Sequence, residues 1–169
     1  DKGSKPTWDV AAPPLPTRPV NINVDEGTWM NVDVSPDGRT IAFDLLGDIY
    51  TLPIAGGAAT RIAEGLPFEM QPQFSPDGRK IAFTSDRGGG DNIWVMNVDG
   101  SDKRPLTSED FRLLNQPDWS PDGRALAVET VDSRLRTSGV PSGRNTGIGV
   151  ASGFGRLAGR SALLAGAEP

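Results

Sequence analysis

Over short stretches the chain alternates apolar and polar positions, the two-residue period of a half-buried strand. The clearest stretch is Thr40-Ile41-Ala42-Phe43, which recurs as Lys80-Ile81-Ala82-Phe83 and as Ala125-Leu126-Ala127-Val128. In each, the large apolar residues share one face and an alanine occupies the other. A small residue repeated at that position predicts close packing of neighbouring sheets. One pentapeptide precedes all three: Ser35-Pro36-Asp37-Gly38-Arg39, Ser75-Pro76-Asp77-Gly78-Arg79 and Ser120-Pro121-Asp122-Gly123-Arg124. Proline presets φ at the first central position, aspartate tolerates the next, and glycine supplies the left-handed residue, so each copy predicts a structural hairpin turn. Ahead of the turns lie Asn31-Val32-Asp33-Val34, Gln71-Pro72-Gln73-Phe74 and Gln116-Pro117-Asp118-Trp119, each alternating and ending on an apolar residue. Pro72 and Pro117 have no N–H to give a ladder, which makes this first strand an edge. After the alanine strand come Asp48-Ile49-Tyr50-Thr51-Leu52 and, past a longer loop at 86–91, Asn92-Ile93-Trp94-Val95-Met96. Finally "AGGAATRIAEG" and "VDGSDKRPLTSED" each give a glycine turn and a short polar strand, with Pro105 again fitting only an edge.

Spacing turns these strands into an architecture. Ser35 and Ser75 are 40 residues apart and Ser75 and Ser120 are 45, the length of one four-stranded propeller blade. An antiparallel sandwich shares the alternation and the glycine turns, but not the fixed-register return of turn, alanine and Ile-aromatic pair. The expected fold is therefore all-β: a partial propeller of two full four-stranded blades at about residues 31–70 and 71–115, with part of a third at 116–128. Residues 1–24 form a proline-rich approach, and 129–169 lie outside the pattern. Trp29, Trp94 and Trp119 are expected in the core or at blade contacts. Propellers close a ring of roughly four to eight blades. An incomplete ring leaves open edges, which predicts self-association.

Composition narrows the chemistry. The net charge of −5 over 169 residues, with no clustered Lys/Arg stripe, argues against a nucleic-acid partner. No apolar run approaches the length of a membrane span. The absence of histidine and cysteine removes Ser-His-Asp and Cys-His catalysis, His-ligated zinc, thiolate metal sites and disulfides. No catalytic, cofactor-binding or metal-ligating residue is assigned, and the chain itself is expected not to be an enzyme. The loop "DRGGGDN" at 86–92 mixes carboxylates with glycines in a way that suits calcium, although the ordinary reading is a hairpin loop. The sequence opens at Asp1 rather than methionine, which leaves room for a removed targeting segment.

Residues 25–128, with "VSPDGRTIAF", "FSPDGRKIAFTSDRGGGDNIWVMNVDG" and "WSPDGRALAV", resemble the TolB-type β-propeller repeat of bacterial exported proteins. The run "DEGTWMNVDVSPDGRTIAFDLLGDIYTLPIAGGAATRIAEG" resembles, more narrowly, the start of the propeller that precedes a metal-dependent amidohydrolase domain in large bacterial proteins. This resemblance implies a periplasmic or otherwise exported protein. It also implies that "TRPVNINV", residues 17–24, is a strand closing the ring against the last blade. Any catalytic metal site in such proteins belongs to a later, histidine-bearing domain, so no catalytic residue carries over to this chain. Two functions follow. One is a non-catalytic module presenting its channel mouth to a protein or peptide; the other is the N-terminal propeller of an amidohydrolase whose catalytic domain is absent.

The repeat pattern then stops. A third-blade counterpart of Ile49 and Ile93 is due near 134–138, where the chain reads Arg134-Leu135-Arg136-Thr137-Ser138. From Glu129 onward there are five arginines, no lysine and a single aromatic, Phe154. A Gly/Ser-rich linker accounts for this. So does a change of reading frame close to Glu129, in which case another frame of the DNA would restore an Ile-aromatic strand.

Overall fold

Three repeats give three antiparallel sheets. The computed structural model describes residues 9–110, 113–131 and 147–151. Strands β1 (Val32–Val34), β2 (Thr40–Leu45), β3 (Asp48–Pro53) and β4 (Thr60–Ala63) form blade 1 in chain order. Blade 2 repeats that order with β5 (Glu69–Phe74), β6 (Lys80–Ser85), β7 (Asn92–Asn97) and β8 (Arg104–Pro105). Blade 3 holds β9 (Leu113–Trp119), β10 (Leu126–Val131) and β11 (Gly147–Ala151), with β10 in the middle. The edge positions argued from proline hold: β5 with Pro72, β9 with Pro117 and β8 with Pro105 each border only one strand.

Each pentapeptide closes a hairpin by the same bonds. The glycine N–H donates to the serine carbonyl at 2.8–2.9 Å, and Gly38, Gly78 and Gly123 sit at φ 71°, 70° and 69°. The side chains satisfy the amides that the loop leaves over. Ser35, Ser75 and Ser120 accept from the backbone N–H five residues on at 2.9 Å and donate to Asp37, Asp77 and Asp122 at 2.6 Å. Each aspartate accepts in turn from the following arginine N–H.

The sheets pack face on face with one rule. The alanine and isoleucine of one blade cover the large residues of the next. Ala42 and Ile49 of blade 1 share a core with Phe74, Ile81, Phe83 and Met96 of blade 2. Ala82 and Ile93 of blade 2 share one with Leu114, Leu126 and Val128 of blade 3. The first strands lie side by side, β1 next to β5 and β5 next to β9, so the blades fan out from a common inner edge. The small alanine lets the sheets approach, as its recurrence foretold.

Two features depart from expectation, and a third, the ring-closing strand, has no last blade among those described to pair with. β10 runs to Val131, past the Val128 limit of the repeat pattern, and Gly147–Ala151 pairs with it as a third strand. The 134–138 segment and the rest of the tail lie outside the described residues. Residues 17–24 join no sheet here, and Val20, Ile22 and Val24 are 62%, 55% and 56% exposed. A strand that closes a ring needs the last blade as its partner, and the three described blades supply none. Trp29, expected in the core, is 99% exposed. Six residues before the turn serine, it matches Glu69 and Leu114, both fully buried against the preceding blade. Among the described residues no blade precedes blade 1 to receive it. Trp94 and Trp119 do pack against the two cores.

Candidate functional site

The inner edge is shaped by two Gln-Pro pairs. In β5 the register slips between Met70 and Gln73, so Gln71 and Pro72 together face Phe83. In β9 the slip falls between Asn115 and Asp118, around Gln116 and Pro117. A bulge takes the proline out of the ladder, so its missing N–H is harmless there. The glutamines adopt left-handed φ of 59° and 51°, which costs about 1 kcal/mol each for a residue with a side chain. That conformation turns their N–H groups out of their own sheet and toward the blade before. Gln71 N donates to Asp44 Oδ2 at 2.6 Å, and Gln116 N to Gln71 Oε1 at 2.7 Å.

Asp44 is thus a junction. Buried to 5% exposure, its carboxylate also accepts from Asn31 N at 2.9 Å and Asn31 Nδ2 at 2.7 Å. Blade 2 builds the same junction from other parts. Thr84 stands at the Asp44 position, too short to reach across, and donates instead to Gln71 Oε1 at 2.9 Å. The Gln71 carboxamide then serves as the acceptor. Further ties run from Phe74 N to Asp33 Oδ2 at 2.7 Å and from Trp119 Nε1 to the Gln73 carbonyl at 3.2 Å.

Between these inner strands lies a groove of about 560 Å³, lined by Met30, Asn31, Val32, Gln71, Gln73, Gln116, Pro117 and Asp118. Its polar lining is four carboxamides and one carboxylate. Carboxamides both donate and accept, which suits the alternating N–H and C=O groups of an extended peptide. Among the described lining residues no nucleophile stands beside a base.

The fifteen pentapeptide residues are elsewhere, on the rim where β1 meets β2, β5 meets β6 and β9 meets β10. They lie near one another from blade to blade: a Cβ on Gly78 would stand 3.6 Å from Pro36 Cδ, and one on Gly123 3.7 Å from Pro76 Cδ. The serine hydroxyl, then the arginine N–H, holds Asp37, Asp77 and Asp122 below the ordinary carboxylate range. Ser75→Ala should therefore move the Asp77 pKa back up toward 3.8, read by carboxyl NMR titration, while Asp122 stays where it is. In the 86–92 loop, Asp86 accepts from Phe68 N at 2.8 Å, and Asn92 Oδ1 from Thr107 Oγ1 and Glu109 N. These side chains brace neighbouring segments, and no group of three acidic residues among those described is placed to hold a metal.

One buried ion pair was not visible in the sequence. Glu69 is fully buried, with Oε1 accepting from Arg87 Nη2 at 2.7 Å and Nε at 3.1 Å, while Oε2 has no partner. Burial pushes its carboxyl up, and Arg87 offsets this only in part. The folded chain therefore holds this proton to higher pH than the unfolded chain. Its contribution grows more favourable as pH falls toward 4.5 and is lost as pH rises through the folded pKa. Urea midpoints of Glu69→Gln, followed from neutral pH down to 4.5, should lose that rise. The turn aspartates titrate lower and with opposite sign.

Residues 30–141 match the family described as the Tricorn protease N-terminal beta propeller domain. The chain belongs to that family. This propeller is 36% identical over 96 residues to Tricorn protease homolog 1 of Streptomyces coelicolor, covering 56% of this chain and 9% of that protein. It is 29% identical over 121 residues to the uncharacterized peptidase YuxL of Bacillus subtilis, covering 61% and 18%. Among solved structures, a TolB-type protein from Agrobacterium tumefaciens superposes with a TM-score of 0.63 at 28% identity, over 75% of this chain and 47% of the other. TolB from Acinetobacter baumannii shares the fold, with a TM-score of 0.58 at 21% identity, over 83% and 32%. The propeller thus spans less than a third of the curated relatives it matches, and those relatives include peptidases. The inner-edge carboxamides were missed in the sequence because only the prolines beside them carried a signal.

Proposed function

We propose that this chain serves as a non-catalytic, exported propeller module that holds an extended protein or peptide segment against the inner edges of its blades. The observation that carries this reading is the groove. Gln73, Gln116 and Asp118 turn polar side chains into it that have no side-chain partner among the described residues, and β1, β5 and β9 are sheet edges there. Edge strands and free carboxamides recognise main chain by hydrogen bonding, with selectivity left to the groove's one carboxylate. Export is supported by the TolB likeness.

The test uses the full chain and a labelled, extended peptide carrying one lysine, read by fluorescence anisotropy. Saturable binding is expected, weakened at least fivefold by Gln73→Ala with Gln116→Ala, and weakened and less salt-sensitive in Asp118→Asn. Affinity untouched by all three changes would refute the reading. A second reading, the N-terminal propeller of a larger hydrolase such as a metal-dependent amidohydrolase, is favoured by the small share of its relatives that the chain spans. A gene that continues in frame into histidine-rich metal motifs would establish it.

A further inference from the structure

Along the inner edge the main-chain donors are used up while oxygens are left over. Pro72 and Pro117 have no N–H. The amides of Gln71 and Phe74 are spent on Asp44 Oδ2 and Asp33 Oδ2 of blade 1, and that of Gln116 on Gln71 Oε1 of blade 2. A peptide that adds itself as a strand needs N–H and C=O groups in alternation from the edge it joins. Across Gln71–Phe74 and Gln116–Pro117 no such run remains, so these stretches of β5 and β9 receive donors rather than give them. The side chains of the groove lean the same way. Asn31 Nδ2 is committed to Asp44, which leaves Asn31 Oδ1. Asp118 is an exposed carboxylate without a partner among the described residues, and Gln73 and Gln116 each bring an oxygen beside their NH2. Only Gln71, whose Oε1 is taken by Thr84 and by the Gln116 amide, is left with a donor alone. No lysine or arginine is among the lining residues.

We infer that the segment held in the groove carries an arginine, whose guanidinium meets the oxygens of Asn31, Gln73 and Asp118; this rests on the groove being a peptide site. Those oxygens come from three different blades, Asn31 just ahead of β1, Gln73 in β5 and Asp118 in β9. A guanidinium presents its donors in a fixed planar fork and has no acceptor, so it spans several oxygens at once, where an ammonium offers a single point of charge. It is also weakly hydrated, which suits the apolar surface that Met30, Val32 and Pro117 add to the groove. An acidic segment would find Asp118 opposing it and no cation to receive it. The spare NH2 of Gln71 is left for a carbonyl of the same segment.

Fluorescence anisotropy of the full chain with end-capped, extended peptides that differ at one central residue decides the matter. The arginine peptide should bind about tenfold more tightly than its citrulline twin, which keeps the shape and loses the charge, with lysine between them and glutamate weakest. Asp118→Asn, at an exposed position, should bring arginine and citrulline to within about threefold of each other. Acetyl-arginine amide alone should compete only at far higher concentration than the peptide. Equal affinity for arginine, citrulline and glutamate would overturn the inference and leave the peptide site standing, whereas no saturable binding by any peptide would overturn both. Lysine bound as tightly as arginine, or an arginine preference undiminished in Asp118→Asn, would also overturn it. So would acetyl-arginine amide binding as tightly as the peptide, which would assign the groove to a small guanidinium compound.

Discussion

Phe83→Ala is expected to lower stability by about 3–5 kcal/mol, the usual effect of emptying a fully buried aromatic site. Phe83 is 0% exposed in the core between blades 1 and 2, where rigid sheets on either side limit collapse around the cavity. Phe43 provides the contrast at the same place in blade 1. It is half-buried, and its ring stacks on Tyr50 at 5.4 Å. Phe43→Ala should therefore cost no more than about 1.5 kcal/mol. Urea titrations of both variants measure the difference. Equal losses would mean that the two faces are buried alike and that the blade order described here is wrong.

Asp44→Ala should have the next largest effect, about 2–4 kcal/mol, because it strands three donors at once: Asn31 N, Asn31 Nδ2 and Gln71 N. Asp44→Asn keeps one acceptor oxygen and should lose roughly half as much. Hydrogen exchange separates this from general loosening. The Gln71 amide should exchange faster in Asp44→Ala. The Gln116 amide, bonded to Gln71 Oε1 and braced by Thr84, should stay protected whenever the blades remain packed. Equal acceleration at both would show that Asp44 supports the whole fold rather than one junction.

The blades were legible in the sequence because their signals are local. A turn needs proline and glycine at fixed places, and a strand facing two neighbours needs large and small residues in alternation, so Ser35 to Arg39 and Ile41 to Phe43 each announce their conformation within five residues. The groove was not legible in that way. Gln71 and Asp44 are 27 residues apart, Gln116 and Gln71 are 45, and blade 2 performs with threonine and glutamine what blade 1 performs with aspartate. A repeat preserves the shape of a contact more faithfully than the residue types that make it. Trp29 misled for a related reason: its register is a buried one, but burial there depends on a neighbour that its own residue type cannot announce. Glu69 stands at the position of Leu114, and nothing local distinguishes a charge that will find Arg87 from one bound for water. The strand at Gly147–Ala151 lay beyond the last recognisable turn, so its pairing with β10 had no periodic forerunner.

The closeness of Pro36 to Gly78, and of Pro76 to Gly123, bears on how the turns of successive blades line up. Each glycine supplies a backbone angle that side chains resist, beside a proline of the preceding blade. A methyl group at either glycine would meet that proline at ordinary contact distance, so the backbone angle and not a lack of room reserves the position for glycine. Neighbouring blades are thus spaced, close to their shared inner edge, by a backbone bend that one residue type takes without strain.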